Sequence, residues 1–282
     1  MKKKSKLKAL RQYLPDKRVL DEELPFDNDI SQPLFHKGNT VGCITLHGIG
    51  GTPANVRVLA DALIERGYTV ISPTLPGHGE TVRALNESTG EQWLQCVLEA
   101  YDRLKGSGCT RIYALGLSLG GILSGLLATQ RPLDGLALIC APIEMQPYLH
   151  MARRISWLLP FVRFEDDEET SSQWQQNPYS QMYNGFSTKK LVDLNRLCKT
   201  LRDNLDKIIC PTLMINAKYD DKVAASSIDI WKARATNVPH CQYVYMQNSP
   251  HGCTYARERD LVAKICSDFV SGLVDKSTSA PI

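Results

Sequence analysis

The sequence predicts an α/β protein built on a mostly parallel, twisted sheet with helices on both faces. Short β-rich runs alternate with helical patterns from about residue 40 to 140, and again from about 208 to 273, which is the pattern of a parallel sheet. The first five runs are continuously apolar, as strands buried on both faces should be. The predicted strands are 41–46, 68–72, 112–117, 136–140, 212–216 and 241–246.

Helical patterns lie between these runs. In the first, Thr52 suits the N-cap, Pro53 the first helical position and Gly67 the position after the C-cap. The predicted helices of the alternating regions are 53–66, 91–105, 119–129 and 257–272.

Residues 142–206 break the alternation, which predicts an insertion. They hold an apolar patch, an acidic run at 165–169 and an amphipathic helix. The leucines of that helix are Leu191, Leu194, Leu197, Leu201 and Leu205. The predicted organisation is a basic extension at 1–31, a core formed by 32–141 and 207–274, the insertion at 142–206 and a tail at 275–282.

Composition narrows the class of function. A chain of 282 residues with 43% hydrophobic residues can bury a large core. A net charge of only +3 gives no strongly basic surface, so we expect a small-molecule partner and no nucleic acid. Oligomeric state is not readable from composition.

The longest apolar stretches, 136–143 and 155–162, are too short to span a bilayer, and we expect no integral membrane segment.

The nine cysteines are odd in number, scattered and never at C-x-x-C spacing, which argues against a disulfide framework or a structural zinc. The basic start lacks the apolar region of a signal peptide, so a cytoplasmic location is expected. A solvated terminus is favoured there over a lipid-binding amphipathic helix.

The strongest chemical signal is a G-x-S-x-G pentapeptide, Gly116-Leu117-Ser118-Leu119-Gly120, between a predicted strand and a predicted helix. A serine on such a sharp turn is held out above the sheet edge, and its neighbours need little side-chain bulk. Ser118 is therefore the candidate nucleophile. The alternative is a glycine-rich turn that only packs a helix on a strand.

A serine nucleophile needs a base and an orienting carboxylate, in the chain order Ser, acid, His. His251 follows the last predicted strand, whereas His240 precedes it and should lie at the opposite edge. Two adjacent aspartates, Asp220 and Asp221, follow the strand at 212–216. The spacing to Val223 favours Asp220.

The segment His47-Gly48-Ile49-Gly50-Gly51 follows the strand at 41–46. Its flexible backbone can aim an amide at a developing oxyanion. The expected donors are the backbone N–H groups of Ile49 and Leu119. The segment is no dinucleotide loop, because Pro53 stands where G-x-G-x-x-G requires its third glycine.

Together these segments resemble the bacterial carboxylesterase and monoacylglycerol lipase-like family of the α/β-hydrolase superfamily. The resemblance rests on HGIGGTP (47–53), GYTVISPTLPGHGET (67–81), GLSLGG (116–121), PTLMINAKYD (211–220) and SPHG (249–252). It implies the α/β-hydrolase fold, with 142–206 as a cap over the active site. It also implies the triad Ser118, Asp220 and His251, the oxyanion donors Ile49 and Leu119, and structural roles for His47 and His78. Ala217 and Pro250 replace glycines that are usual in the family.

The predicted function is hydrolysis of a carboxylic ester through an acyl-enzyme, without a metal or organic cofactor. The substrate that fits best is a short-to-medium acyl monoester or a monoacylglycerol. Thioesterases and acyltransferases use the same triad and remain alternatives. A non-catalytic ligand-binding relative is a further alternative, and a serine-directed probe separates it from the enzymes.

Overall fold

A computed structural model gives the fold. It describes residues 29–147, 161–163, 177–183 and 185–278. The acidic run, most of the predicted apolar patch and nearly all of the predicted basic extension lie outside these residues.

A seven-stranded sheet forms the centre of the protein, in the order β1-β3-β2-β4-β5-β8-β9. All neighbouring pairs in it are parallel except β1 with β3. A separate antiparallel pair joins β6 to β7. The strands are β1 Leu34–His36, β2 Val41–Leu46, β3 Thr69–Ser72, β4 Arg111–Leu117, β5 Gly135–Ile139, β6 Phe161–Arg163, β7 Gly185–Ser187, β8 Thr212–Tyr219 and β9 Cys241–Pro250.

Helices cover both faces of the sheet, as predicted. On one face α1 and α7 pack together, and their buried side chains include Leu59, Leu63 and Val262. On the other face, α3, α4 and α5 bury Trp93, Leu123 and their neighbours. The helices are α1 Arg57–Glu65, α2 Val82–Glu87, α3 Gly90–Gly106, α4 Leu119–Ala128, α5 Lys189–Arg202, α6 Ser226–Arg234 and α7 Arg259–Thr278.

The start of the first predicted helix differs from the expectation. Thr52 does precede Pro53 with an extended backbone, but its hydroxyl makes no capping hydrogen bond. The segment Pro53–Val56 is a 3-10 turn, and the α-helix begins only at Arg57. A capping box that the sequence analysis did not use begins α3: Thr89 accepts from the backbone N–H of Gln92, whose side chain accepts from that of Thr89.

The predicted insertion is described only in part. Its amphipathic helix forms as α5, with Leu191, Leu194, Leu197 and Leu201 buried, and Leu205 is buried in the 3-10 turn that follows. This helix contacts α3 and α4, so its leucines belong to the core on that face of the sheet. Where the insertion ends and the core resumes stays a prediction.

Candidate active site

Ser118 lies on a sharp turn between β4 and α4, as the pentapeptide predicts. Its backbone has φ 53° and ψ −114°, a strained conformation that non-glycine residues adopt mostly at functional sites. The turn is held on both sides, because the Ser118 N–H donates to the carbonyl of Ile139 at 2.8 Å and its own carbonyl accepts from Ile122 at 3.0 Å. The residue is 6% exposed.

Close backbone approach explains the glycines around this serine. A Cβ on Gly116 would lie 2.1 Å from backbone atoms of Gly120, and a Cβ on Gly120 would lie 2.2 Å from the carbonyl oxygen of Leu46. No flexible side chain can move aside at either contact. The glycines therefore let strand, turn and helix meet closely enough to hold Ser118 in its strained conformation.

Asp220 and His251 leave the sheet side by side. Tyr219 of β8 is paired with Pro250 of the parallel strand β9, so the residue that follows each strand begins at the same edge. His251 Nδ1 lies 2.9 Å from Asp220 Oδ2. The Asp220 side chain is 7% exposed and that of His251 is 21% exposed.

The second carboxylate oxygen of Asp220 is held by its own loop. Oδ1 accepts from the backbone N–H groups of Lys222 at 2.8 Å and Val223 at 3.1 Å. Burial raises the pKa of the Asp220 carboxyl, but the hydrogen bond and charge of His251 and the two N–H groups outweigh it and bring that pKa below its ordinary value. The group is a carboxylate at neutral pH.

Asp221 faces elsewhere. Its carboxylate contacts the ammonium of Lys222 at 2.7 Å, and its side chain is 66% exposed. Of the two adjacent aspartates, Asp220 is therefore the one in contact with His251.

The segment 47–51 passes close to the turn at Ser118. A Cβ on Gly48 would lie 3.5 Å from the Cβ of Ser118 and 3.7 Å from the Leu117 carbonyl oxygen. Ile49 is the residue after this point of contact. Leu119 is the first residue of α4, where a backbone N–H has no partner within its own helix. Both predicted donors thus lie beside Ser118, and their role in binding an oxyanion stays a prediction.

Segment 177–183 holds this loop from the other side. The N–H of Tyr183 donates to the carbonyl of Gly50 at 2.8 Å, and Gly51 forms a β-bridge with Met182. The buried amide of Asn55 donates to the carbonyls of Tyr179 and Gln181 at 2.7 and 3.2 Å. These contacts join positions more than 120 apart in the chain, so local sequence patterns give no signal for them.

His47 and His78 are buried beneath the site. His47 accepts the N–H of Leu75 on Nε2 at 3.1 Å, and its Nδ1 lies 2.9 Å from the Gly48 carbonyl oxygen. Burial lowers the pKa of His47 to about 4 and that of His78 well below its ordinary value. Both rings are therefore neutral, and His47 links the loop that carries Gly48 to the one that carries Leu75.

Sequence reasoning missed Cys140, which follows β5 just as Ser118 follows β4. Leu117 and Ile139 are paired, and both following residues have positive φ, 53° and 44°. The Cys140 sulfur lies 3.7 Å from that of Cys253, and the Cys253 thiol and burial raise its pKa well above the ordinary value. Donor atoms of Cys140, Asp220 and His251 lie within 4.8 Å of one another. Asp220 and His251 bind each other in this cluster, so they are not arranged as free metal ligands.

Comparison with known proteins agrees with this fold. The model of the alpha/beta hydrolase family matches residues 43–265. The chain belongs to the α/β hydrolase family. The matched residues include Ser118, Asp220 and His251.

Two relatives are similar to this chain over most of their length. A carboxylesterase of Bacillus subtilis (strain 168) is 31% identical over 248 residues, which are 86% of this chain and 97% of that protein. A thermostable monoacylglycerol lipase of Bacillus sp. (strain H-257) is 29% identical over 241 residues, 85% of this chain and 94% of that protein. The solved structure of a metagenome-derived lipolytic enzyme superposes with a TM-score of 0.77 at 23% identity, covering 86% of this α/β hydrolase and 98% of that chain.

Proposed function

We propose that this α/β hydrolase cleaves carboxylic esters through an acyl-enzyme on Ser118. The observation that carries the proposal is the partly buried hydrogen bond between His251 Nδ1 and Asp220 Oδ2, which is 2.9 Å long. It lies at the same edge of the sheet as the strained turn at Ser118. The names of two similar proteins support ester hydrolysis as the reaction. The two similar Bacillus proteins are a carboxylesterase and a monoacylglycerol lipase, in agreement with the predicted ester hydrolase.

The first half of the proposed reaction forms the acyl-enzyme. Ser118 Oγ attacks the ester carbonyl while His251 takes the hydroxyl proton on Nε2, since Nδ1 is engaged with Asp220. The Asp220 carboxylate stabilises the imidazolium that results. The N–H groups of Ile49 and Leu119 bind the oxyanion. The ester C–O bond then breaks, and the imidazolium returns its proton to the departing alkoxide, which leaves as the alcohol.

In the second half, water repeats the sequence. His251 takes a proton from a water molecule while the water oxygen attacks the acyl carbon. The tetrahedral intermediate then collapses and expels Ser118 Oγ. The proton passes back to that oxygen. The products are a carboxylic acid and the regenerated serine, so one water is consumed for each ester cleaved.

A monoacylglycerol or another short-to-medium acyl monoester is the substrate class that we propose. The support is that one of the similar proteins is a monoacylglycerol lipase.

We also propose that the enzyme works in the cytoplasm, and that proposal rests on the cysteines. All nine are free thiols, as is usual where glutathione and thioredoxin keep thiols reduced.

A substrate panel tests the proposed class. Purified enzyme would be assayed on glyceryl and p-nitrophenyl monoesters of graded acyl length, with thioesters of the same acids beside them. We expect turnover of the esters, with the highest rates for acyl chains of short to medium length. Turnover of the thioesters alone would contradict the proposed ester hydrolase and favour a thioesterase.

A further inference from the structure

The carboxylate of Glu258 holds the strand end that carries His251. Its Oε2 accepts from the hydroxyl of Ser249 at 2.7 Å and from the backbone N–H of Asn248 at 2.9 Å. The Asn248 side-chain amide approaches the other oxygen at 3.5 Å. Ser249 is fully buried, and Glu258 is half-buried, so the carboxylate reaches a hydroxyl inside the protein.

From these contacts we infer that Glu258 is a positioning residue for His251, an inference that rests on the proposed function. Asn248 and Ser249 lie three and two residues before the base, and Glu258 binds both through one oxygen atom. A residue so close in the chain to His251 cannot move without moving the imidazole. Glu258 therefore sets the place from which the base leaves β9.

The anchor itself is rigid. Glu258 immediately precedes α7, and its carbonyl accepts from the N–H of Val262 at 2.9 Å. From there α7 runs for 20 residues and buries Val262, Cys266 and Val270 against the sheet and α1. The carboxylate thus ties the base to a helix that the core holds in place.

Pro250 explains why such an anchor is needed here. Proline has no N–H with which to fix the chain just before His251, and it restricts Ser249 to extended conformations without fixing its side chain. The hydrogen bonds from Asn248 and Ser249 to Glu258 join this end of the strand to the residue that precedes α7.

The charge on Glu258 suits the task. Burial raises the pKa of this carboxyl, but the hydrogen bonds from Ser249 and Asn248 outweigh it and bring that pKa below the ordinary value. Hydrogen bonds to an ionised acceptor are shorter and stronger than neutral ones. The contact is therefore fully formed at neutral pH.

Four variants test the inference: Glu258→Ala, Glu258→Gln, Ser249→Ala and the double variant Glu258→Ala with Ser249→Ala. We expect Glu258→Ala to lower kcat on a soluble ester by about 10- to 100-fold, because a small misplacement of a catalytic group is costly, with KM changed less than about twofold. Glu258→Gln keeps an oxygen acceptor for both donors and should restore most of the loss. The double variant should lose no more than Glu258→Ala alone, since both changes remove the same contact.

The matched control is Asp260→Ala, two residues further along, whose side chain is 81% exposed; it should leave kcat unchanged. A second readout does not depend on turnover: the His251 Nδ1 proton would be followed by NMR, and we expect its signal to broaden through faster exchange in Glu258→Ala and to stay sharp in Glu258→Gln.

The outcomes separate this inference from the proposed function. A wild-type kcat and a sharp Nδ1 proton in Glu258→Ala would overturn the positioning role while leaving the triad untouched. If Glu258→Ala fails to fold, Ser249→Ala decides in its place: lowered kcat with a broadened Nδ1 signal supports the role, and wild-type values for both overturn it. Undiminished hydrolysis by a folded Ser118→Ala variant would instead overturn the proposed function.

Discussion

The adjacent residues Asp220 and Asp221 differ in the groups that their carboxylates contact. Asp220 gives one carboxylate oxygen to His251 and the other to two backbone N–H groups. Asp221 contacts the Lys222 ammonium at the surface. Only the first can orient an imidazole, so the proposed triad makes opposite predictions for the two.

Asp220→Asn should lower kcat by about 10³- to 10⁴-fold, since an amide favours the wrong imidazole tautomer and does not stabilise the imidazolium. Asp221→Asn should change kcat less than about twofold, because an exposed carboxylate-to-amide change is nearly neutral. Steady-state kinetics of both variants on one soluble ester check the pair. A larger loss from Asp221→Asn would overturn the choice of acid without affecting that of Ser118.

The buried His47 makes stability depend on pH in a defined window. Its pKa is about 4 in the folded protein, against 6.5 for an ordinary histidine. Between these values the unfolded chain binds more protons than the folded protein, so the free energy of unfolding falls as the pH falls. From pH 7 to pH 5 the expected loss from His47 is on the order of 2 kcal/mol.

Urea unfolding at pH 7 and pH 5 measures this loss. His47→Gln retains a neutral acceptor for the N–H of Leu75 and should show a smaller loss than wild type. His240 is exposed, so His240→Gln is the control and should retain the wild-type pH dependence. The same loss in both variants would show that His47 is not the group responsible.

At the scale of elements, the turn between β4 and α4 fixes the position of Ser118, the proposed nucleophile. The backbone of β4, that of α4 and that at the end of β2 approach one another so closely here that neither Gly116 nor Gly120 has room for a Cβ. Not every helical glycine has this requirement. At Gly272, inside α7, a Cβ would meet nothing within 4 Å.

Alanine at these two glycines should therefore act in opposite directions. Gly120→Ala should destabilise the fold by more than about 2 kcal/mol, because its Cβ would meet backbone that cannot move aside. Gly272→Ala should stabilise it by roughly 0.5–1 kcal/mol, since alanine loses less conformational freedom in a helix. Thermal unfolding of both variants checks this; a neutral Gly120→Ala would contradict the tight packing of the turn.

Elements with a clear apolar pattern were predictable from sequence, and the others were not. The predicted parallel strands form because their buried side chains are mostly apolar: the burial of β2, β3 and β5 is complete along each strand. The buried hydroxyls of Thr45 and Ser72 hydrogen-bond to each other. The short strands β1, β6 and β7 have three residues each and no period to detect. In α6 only Ser227 and Trp231 are buried, which leaves no apolar stripe, and β9 runs on to Pro250 through the polar residues 247–249.

The candidate site divides in the same way. Ser118, Asp220 and His251 could be chosen because each follows a strand in a recognisable local motif. Cys140 and Asn55 could not, since their contacts are with residues more than 100 positions away in the chain. The thiol of Cys140 meets that of Cys253, 113 positions away, and only the strand order β4-β5-β8-β9 shows that such neighbours share an edge.

At the scale of the whole molecule, that strand order assembles the proposed triad. Ser118 follows β4, Cys140 follows β5, Asp220 follows β8 and His251 follows β9, so four consecutive strands in the sheet deliver side chains to one edge. Among the residues that the structure describes, no helix is long and apolar enough to cross a membrane.

Covalent capture of Ser118 tests the central claim most directly. Wild-type enzyme and Ser118→Ala would be treated with a fluorophosphonate probe and assayed on a p-nitrophenyl ester, with circular dichroism and thermal unfolding to show that both are folded. We predict one label per wild-type chain on the peptide that contains Ser118, together with ester hydrolysis. For Ser118→Ala we predict no label, wild-type stability and a kcat reduced by about 10⁴-fold or more. A folded Ser118→Ala protein that hydrolyses the ester at the wild-type rate would contradict the account.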